Sequence, residues 1–391
     1  MVMTHAVKKL LRVFGSLRLT VVLLALCMIL VFVATIAQVN IGIHQAQTQY
    51  FRSWMTLVPL AAGDFRMPLP LPGGLTLGTL LIANLLVAQF NRFKLRPRTI
   101  GILLIHTGIL LLLAGELLTA FLGSESQMVI NENQTVNYST APREVELVVI
   151  DKSNPDRDQV KAIPQSRLRD GAEFSFDGFT VRIKRFLRNS EIVPAAEAGP
   201  EFEDLRADKG PGVAFAVREM PLETASDRRD LSSAFVEIIR GDDPPLGCWL
   251  LSNALTGQQE VRIGDTSRVI AMRQRRFYHP FSITLLDFSH DRYQGTEIPK
   301  NFSSRVRIEH AAQGESRETL IYMNHPLRYN GLTFYQSGFD NDDTTTILQV
   351  VKNPVWTLPY TACAMVSLGL LWVFSLHLLK ALTRRRTGLQ T

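Results

Sequence analysis

The chain has 391 residues, 46% of them hydrophobic and 20% charged, with a formal net charge of +6. As one soluble protein that length suggests two or three domains, but its apolar residues are gathered into four blocks, and a long polar stretch separates the third from the fourth. The most concentrated Lys and Arg sit at the ends of those blocks, which fits anchored membrane helices and argues against a nucleic-acid partner. The three cysteines, Cys27, Cys248 and Cys363, form no CxxC pair, which excludes a thioredoxin-like redox motif, a covalent CxxCH haem site and a disulfide scaffold.

The first block, Leu19 to Val39, is long enough to cross a bilayer of about 30 Å. Its apolar run exceeds a signal-peptide core, and no clean cleavage pattern follows. From Asn40 to Pro72 the chain is predicted to lie outside. "IGIHQAQTQYFRSWMTL" reads as an interfacial amphipathic helix with Tyr50 and Trp54 at headgroup level, and "RMPLPLPGG" as a helix breaker. The second block, Leu75 to Phe90, is short and carries Asn84 and Gln89. The basic segment "NRFKLRPR" and the third block, Ile100 to Phe121, follow directly, so blocks two and three read as a helical hairpin with a cytoplasmic turn. The fourth block runs from Trp356 to Leu379. Lys8, Lys9, Arg12 and Arg18, then Arg92, Lys94, Arg96 and Arg98, then Lys380 and Arg384 to Arg386 place both termini in the cytoplasm. The intervening region then lies in the periplasm or at the outer surface of a bacterial cytoplasmic (inner) membrane.

That region holds short, partly alternating segments rich in β-branched and aromatic residues, such as "REVELVVI", "SSAFVEIIRG" and "FSITLLDFS", separated by turn signals such as "NPD" and "RDG". It predicts an antiparallel β-rich domain, large enough for a core of its own. "VPAAEAGPEFEDLRADKGPG" reads as an exposed loop. "LIYMNHPLRYNGLTFYQSGFD" reads as a hairpin, with Pro326 holding His325 extended and Asn330-Gly331 favouring a type I′ turn. The expected organisation is a membrane region at 1–122 with three helices and an external loop, an extracytoplasmic β-rich domain at 123–355, and a fourth helix with a basic cytoplasmic tail at 356–391. The expected fold class is therefore a mixed membrane protein, with four transmembrane α-helices and a large antiparallel β domain between helices three and four.

Five stretches jointly carry a family resemblance: "GSLRLTVVLLALCMILVFVATIAQ", "RPRTIGILLIHTGILLLLAGELLTAFLGSE", "FSITLLDFSHDRYQGTEIPKNFSSRVRI", the hairpin above, and "VVKNPVWTLPYTACAMVSLGLLWVF". Together they resemble the ResB-like, or CcsB, cytochrome c biogenesis membrane family. The resemblance implies half of a cytochrome c maturation system, in which haem b is exported and presented for covalent attachment to apocytochrome c. It implies a separate CcsA/ResC-like membrane partner that carries a tryptophan-rich haem-handling motif, an apocytochrome c or multihaem cytochrome as client, and a periplasmic thiol-reducing protein. With four Trp, this chain has no tryptophan-rich motif, and His325 stands where many relatives have glutamine. No catalytic residue is assigned; if the chain is active, it contributes to a cytochrome c haem lyase complex. The alternative is a non-catalytic membrane scaffold for a respiratory or multihaem cytochrome complex. A quinol-linked haem b subunit ranks lowest, because it needs two or four well-placed intramembrane histidines.

His106 is the strongest candidate metal ligand. It lies about 9 Å along its span at 1.5 Å per residue, where a polar group is costly unless paired or used. The competing reading is a histidine hydrogen-bonded across a helix interface. Gly101, Gly108 and Gly115 form a small-residue face that lets another helix approach. Bis-histidine ligation needs a second imidazole. In this chain His377 is the other intramembrane option, against a simple interface role, and His325 is the external one, against a structural role. Haem b shared with the partner is the expected cofactor. Asp287, His290, Asp291, Arg292 and Tyr293 match neither a zinc site nor a nucleophile triad and read as structural pairing within a β-hairpin, against proton transfer between Asp287 and His290, while Lys300 and Arg305 are candidate contacts to haem propionates or the partner. Glu116 reads as an interfacial carboxylate and His44 as a surface residue.

Overall fold

The computed structural model describes residues 11–62, 65–92, 96–97, 99–154, 157–203, 205–223, 229–241, 243–255, 257–264, 266–295, 299–340 and 344–388. Two compact units form, one from Met1–Ser124 with Lys352–Thr391, the other from Glu125–Val351. Of the basic residues that set the predicted orientation, Lys8, Lys9, Lys94 and Arg98 lie outside the described residues.

The first unit contains helices α1 (Leu17–Ala46), α2 (Gly74–Arg92), α3 (Ile100–Leu122) and α4 (Thr357–Gly388). All four carry stretches long and apolar enough to cross a membrane. Ser16 caps α1 by accepting from the Leu19 N–H at 3.3 Å. Asn84 of α2 is 1% exposed and ties this end of α1 down. Its Oδ1 accepts from Thr20 Oγ1 at 2.7 Å, and its Nδ2 donates to the Phe14 and Ser16 carbonyls. A buried amide satisfied on both ends offsets the cost of placing it among apolar side chains.

Between α1 and α2 the chain departs from the expected interfacial helix. Gly42, at φ 74°, interrupts α1. A π-turn follows at Gln47–Phe51, and then an antiparallel hairpin of β1 (Met55–Ala62) and β2 (Phe65–Pro72). Tyr50 is buried at 2% exposure among Leu23, Leu30, Val58 and Leu77, while Trp54 is exposed. The proline run breaks the helix but makes a strand. Pro68, Pro70 and Pro72 recur with period two opposite Pro59, Leu57 and Met55. Lacking N–H groups, they take the positions that donate nothing to β1, and leave Met67, Leu69 and Leu71 to form the ladder.

Helices α3 and α4 meet along the predicted glycine face. Gly101, Gly108 and Gly115 are all buried. Gly101 lies against Gly369 and Val373, Gly108 against Ala362 and Val366, and Gly115 against Leu358. The indole of Trp372 also donates to the Pro97 carbonyl at 2.8 Å, where the chain enters α3.

The second unit is built on two long strands, β4 (Thr135–Asp151) and β13 (Thr266–Arg292). Their ladder shifts register twice. Four residues of β4, Ala141 to Glu144, stand opposite Arg275, and four residues of β13, His279 to Ser282, stand opposite Asn137. Pro142 and Pro280 lie in these two bulges, where no ladder donor is needed. The shifts divide the unit into two lobes, each with its own core. In the first, β4 and β13 with β5 (Gln159–Pro164) and β12 (Gln259–Ile263) pack on a sheet of β6 (Glu173–Phe176), β7 (Phe179–Leu187), β10 (Ser233–Ile239) and β11 (Cys248–Ser252). The predicted exposed loop is partly tied to this lobe. It leaves β8 (Ser190–Pro194), buries Phe202 beneath the Arg218 guanidinium and Ala207 in a cluster with Phe235 of β10 and Leu250 of β11, and returns through β9 (Phe215–Glu219).

The second lobe orders β15 (Glu315–Tyr322), β14 (Pro299–His310), β13, β4, β3 (Ser124–Asn131), β18 (Thr345–Lys352), β17 (Leu332–Phe339) and β16 (Leu327–Tyr329). All eight strands contribute to one core that includes Ile130, Phe281, Ile321, Leu327 and Phe334. The sheet therefore curls upon itself, and the bridge between Tyr322 and His325 links β15 to the approach of β16. Asn330 and Gly331, at φ 47° and 74°, make the predicted type I′ turn.

The glycine seam yields a graded prediction. A Cβ on Gly108 would sit 2.6 Å from Val366 Cγ2 and 2.8 Å from the Ala362 carbonyl, whereas on Gly115 its nearest neighbour is Leu358 Cβ at 3.4 Å. Gly108→Ala should destabilise the detergent-solubilised chain by about 1–3 kcal/mol and Gly115→Ala by much less, read as a lower unfolding temperature for the first alone.

Candidate functional site

His106 lies on α3 about 160° around the helix from Gly108, taking 3.6 residues per turn. It therefore faces away from the α4 seam, and it is half-buried. Its Nδ1 is 2.8 Å from the Ile102 carbonyl, one turn earlier. A carbonyl only accepts, so Nδ1 carries the proton, and in the neutral ring the lone pair lies on Nε2. That is the state a metal-ligating histidine needs, oriented by a hydrogen bond on its other nitrogen. The sequence reading found little polar help on this face of the helix; the backbone itself supplies it.

Of the other two candidates, His377 is not brought to His106 and His325 belongs to the other unit. Along the antiparallel seam its level on α4 falls near Val366. His377 is eleven residues further on, about 16 Å at 1.5 Å per residue, too far for both imidazoles to ligate one iron. His325 is exposed on a surface turn of the other unit, its ring stacked on Tyr322 at 4.6 Å between centroids. Asn324, at φ 61°, closes that turn, and the His325 N–H donates to the Tyr322 carbonyl at 2.9 Å. The position offers no enclosed slot. Glu116 and His44 are exposed on their helices.

The hairpin motif works inside the second lobe. Gln336 on β17 accepts from Ser304 Oγ of β14 at 2.7 Å, and its Nε2 donates to Thr346 Oγ1 of β18 at 2.9 Å. Ser304 and Thr346 are fully buried and 2.8 Å apart. Because β14 is not a ladder neighbour of β17 or β18, these bonds cross the interior of the curled sheet. Asp287 and Arg305 are register partners on β13 and β14 with an ion pair at 3.6 Å, and His290 packs on Phe339. The pairing there is structural.

Cys248 is the one cysteine of this unit. It is buried, and desolvation with nearby Asp208 and Glu237 pushes its thiol up to about 11. It is poorly suited to thiol–disulfide exchange, which needs an accessible thiolate. The sequence reading missed a cavity of about 470 Å³ lined by His279 and His310, beside the β13 bulge. The only sequence signal for it is Tyr-His-Pro-Phe inside a strand pattern, where proline marks a bulge.

Residues 251–352 match the ResB-like family. The chain is 24% identical over 292 residues to Protein NrfI of Wolinella succinogenes, a match covering 75% of this chain and 28% of NrfI. It is 32% identical over 106 residues to cytochrome c biogenesis protein CcsB of Synechococcus sp. strain WH7803, covering 27% of this chain and 24% of CcsB. Over residues 251–352 the chain is similar to the ResB-like family. The matches thus span about a quarter of the length of either relative. The ResB-like region contains β12 to β18 and the Ser304–Gln336–Thr346 network, and His106 lies outside it.

Two outcomes test this account of the ResB-like region. Gln336→Ala leaves two buried hydroxyls short of a partner and should cost about 1–3 kcal/mol, whereas the triple change Ser304→Ala, Gln336→Leu, Thr346→Val should recover part of that loss in the unfolding temperature. In a Cys27→Ala, Cys363→Ala chain, Cys248 should resist maleimide at pH 8 while folded, its thiolate fraction being on the order of a thousandth, and should label fully once denatured.

Proposed function

We propose that the chain is a haem-handling membrane subunit of cytochrome c maturation. Haem is its cargo, and His106 supplies one axial nitrogen to the iron within the membrane unit. The observation that carries the proposal is the His106 imidazole: its Nδ1 proton is committed to the Ile102 carbonyl, and it is turned away from the α3–α4 seam. The ResB-like match and the likeness to a protein named for cytochrome c biogenesis support the same reading. Since His377 is out of reach, the second axial ligand comes from a separate CcsA/ResC-like, tryptophan-rich membrane partner, across the face of α3 that α4 does not cover. The β unit lies on the outer side of the bacterial inner membrane with both termini inside, as the basic flanks of the spans require. There it meets the apocytochrome c or multihaem cytochrome. A periplasmic thiol-reducing protein acts on the client's cysteines rather than on this chain, because Cys248 is buried with a raised pKa.

When bound, haem contributes vinyl groups for attachment to the client thiols. This chain's residues hold and orient it: the α3 backbone fixes the His106 ring, and Gly101, Gly108 and Gly115 lock α3 against α4. The chain carries no catalytic nucleophile in this reading.

The test is co-expression with the partner, purification of the complex and measurement of its pyridine haemochrome. His106→Ala should remove most of the bound haem and the cytochrome c yield, and added imidazole should restore a low-spin Soret band. Unchanged haem and yield in the variant would overturn the ligand assignment. Loss of partner abundance on deletion of the chain, with that variant still normal, would favour the scaffold reading instead.

A further inference from the structure

The β1–β2 hairpin has one face without cover. Its alternation separates two sides. Thr56 and Val58 are buried, Val58 in the cluster of Leu23, Leu30 and Leu77 with Leu71 packed against it. On the other side Met55 and Leu57 are 68% and 56% exposed, and Pro68 and Pro70, which share that side by register, are exposed with them. A hairpin standing in water turns polar side chains outward on such an alternation; these four are all apolar. The edge of β2 is unusual as well. Pro68, Pro70 and Pro72 stand where the strand donates nothing to β1, so at those positions its outer edge carries no N–H. Proline on an edge also guards against strand pairing in water. Beside an apolar face it has a second effect, since it removes the donors that are costly where water is scarce.

The level of the hairpin is fixed by α2. Gly73 N–H donates to the Trp54 carbonyl at 2.9 Å, Leu75 N–H to the Ser53 carbonyl at 3.3 Å, and Thr76 Oγ1 to the Trp54 carbonyl at 2.5 Å. The base of the hairpin is therefore tied to the first turn of α2. That helix has 19 residues, about 28 Å at 1.5 Å per residue, which matches a hydrocarbon core of about 30 Å. Its first turn then stands at the boundary of that core, and the hairpin base with it. Trp54 is 58% exposed there and Arg52 is exposed two residues earlier; both residue types anchor at headgroup level. The exposed apolar surface of α1, through Ile36, Val39 and Ile43, leads along the chain to the same base, and no Asp or Glu occurs from Leu19 to Gly63. The open face thus continues the surface that the spans present to lipid. We propose that the β1–β2 hairpin is a monotopic lipid-binding element, with the face of Met55, Leu57, Pro68 and Pro70 seated between the headgroups and the acyl chains.

The test uses the full-length Cys27→Ala, Cys363→Ala chain in vesicles of phosphatidylethanolamine and phosphatidylglycerol. A nitroxide is attached to Leu57→Cys, and its collision rates with oxygen, which concentrates in lipid, and with a neutral nickel chelate, which stays in water, are measured. The oxygen-to-chelate ratio should be several-fold above that at Ser316→Cys, an exposed position of the β unit, and below that at Phe32→Cys, exposed in the middle of α1. A ratio equal to that at Ser316→Cys would put the face in water and overturn the proposal. Shielding from both reagents would put protein against the face and overturn it as well. Trp54 decides the matter if the labelled hairpin misfolds. Phospholipids brominated on the upper acyl chain should quench a share of the fluorescence that is missing in Trp54→Phe, and equal quenching of the two chains would sink the idea.

Discussion

The pairing of β4 with β13 is the constraint on which the β unit depends. Strands of 17 and 27 residues cannot remain one regular ladder around a globular core, because twist accumulates along them. The chain resolves this with two opposed bulges, one on each strand, each containing a proline. Between them only a short regular run survives, Ser139–Thr140 and Tyr138 against Arg276–Tyr278, held by Arg276 over the Tyr138 ring at 4.0 Å. On one side of this waist the strands face the first core, with Leu147 and Met272; on the other they face the second, with Val136 and Ile283. The same irregularity that lets one strand pair serve two cores opens the cavity beside His279. Fold and cavity thus share one local cause.

The membrane unit follows a different rule. Apolar burial between helices gains little where lipid is equally apolar, so close approach and polar ties decide the packing. The unit uses one device for either helix pair. Asn84 joins α2 to the start of α1 through its amide, and a heptad-spaced glycine face brings α3 to α4. The second device has a consequence for chemistry. Because the glycines consume one side of α3, a polar side chain on the opposite side has no helix of that seam to satisfy it, and His106 turns to its own backbone.

Much of this was legible in the sequence, for reasons that differ by element. The spans were visible because apolar length and basic flanks are local properties. The glycine face was visible because a spacing of seven places residues on one side of a helix, and the Asn330-Gly331 turn because few residues adopt two successive positive φ angles. What stayed hidden depended on long-range pairing. Pro68, Pro70 and Pro72 read as a breaker, and only their register against β1 reveals a strand that spends its prolines where no donor is required. The glycine- and proline-rich stretch after β8 looked exposed, and only the cluster on β10 and β11 explains why Ala207 is buried, as only Arg218 of β9 explains the cover on Phe202. The cavity joins His279 to His310 through a register shift that no local pattern announces.

The most family-like stretch of the chain shows why recognition and chemistry separate. In "LIYMNHPLRYNGLTFYQSGFD", the asparagine and glycine set a turn, Phe334 fills the core, and Gln336 spans the curled sheet to Ser304 and Thr346. His325, the residue with the most obvious chemistry, stacks on Tyr322 at the surface. A half-buried amide linking three strands tolerates little change, since its loss leaves the Ser304–Thr346 hydroxyl pair short of a partner, so such a motif marks the fold strongly whatever the protein does. Ligand chemistry has the opposite requirement. It needs an imidazole set by a hydrogen bond on one nitrogen, and the sequence of α3 provides one on the side turned from the α4 seam, where the Ile102 carbonyl holds His106 Nδ1.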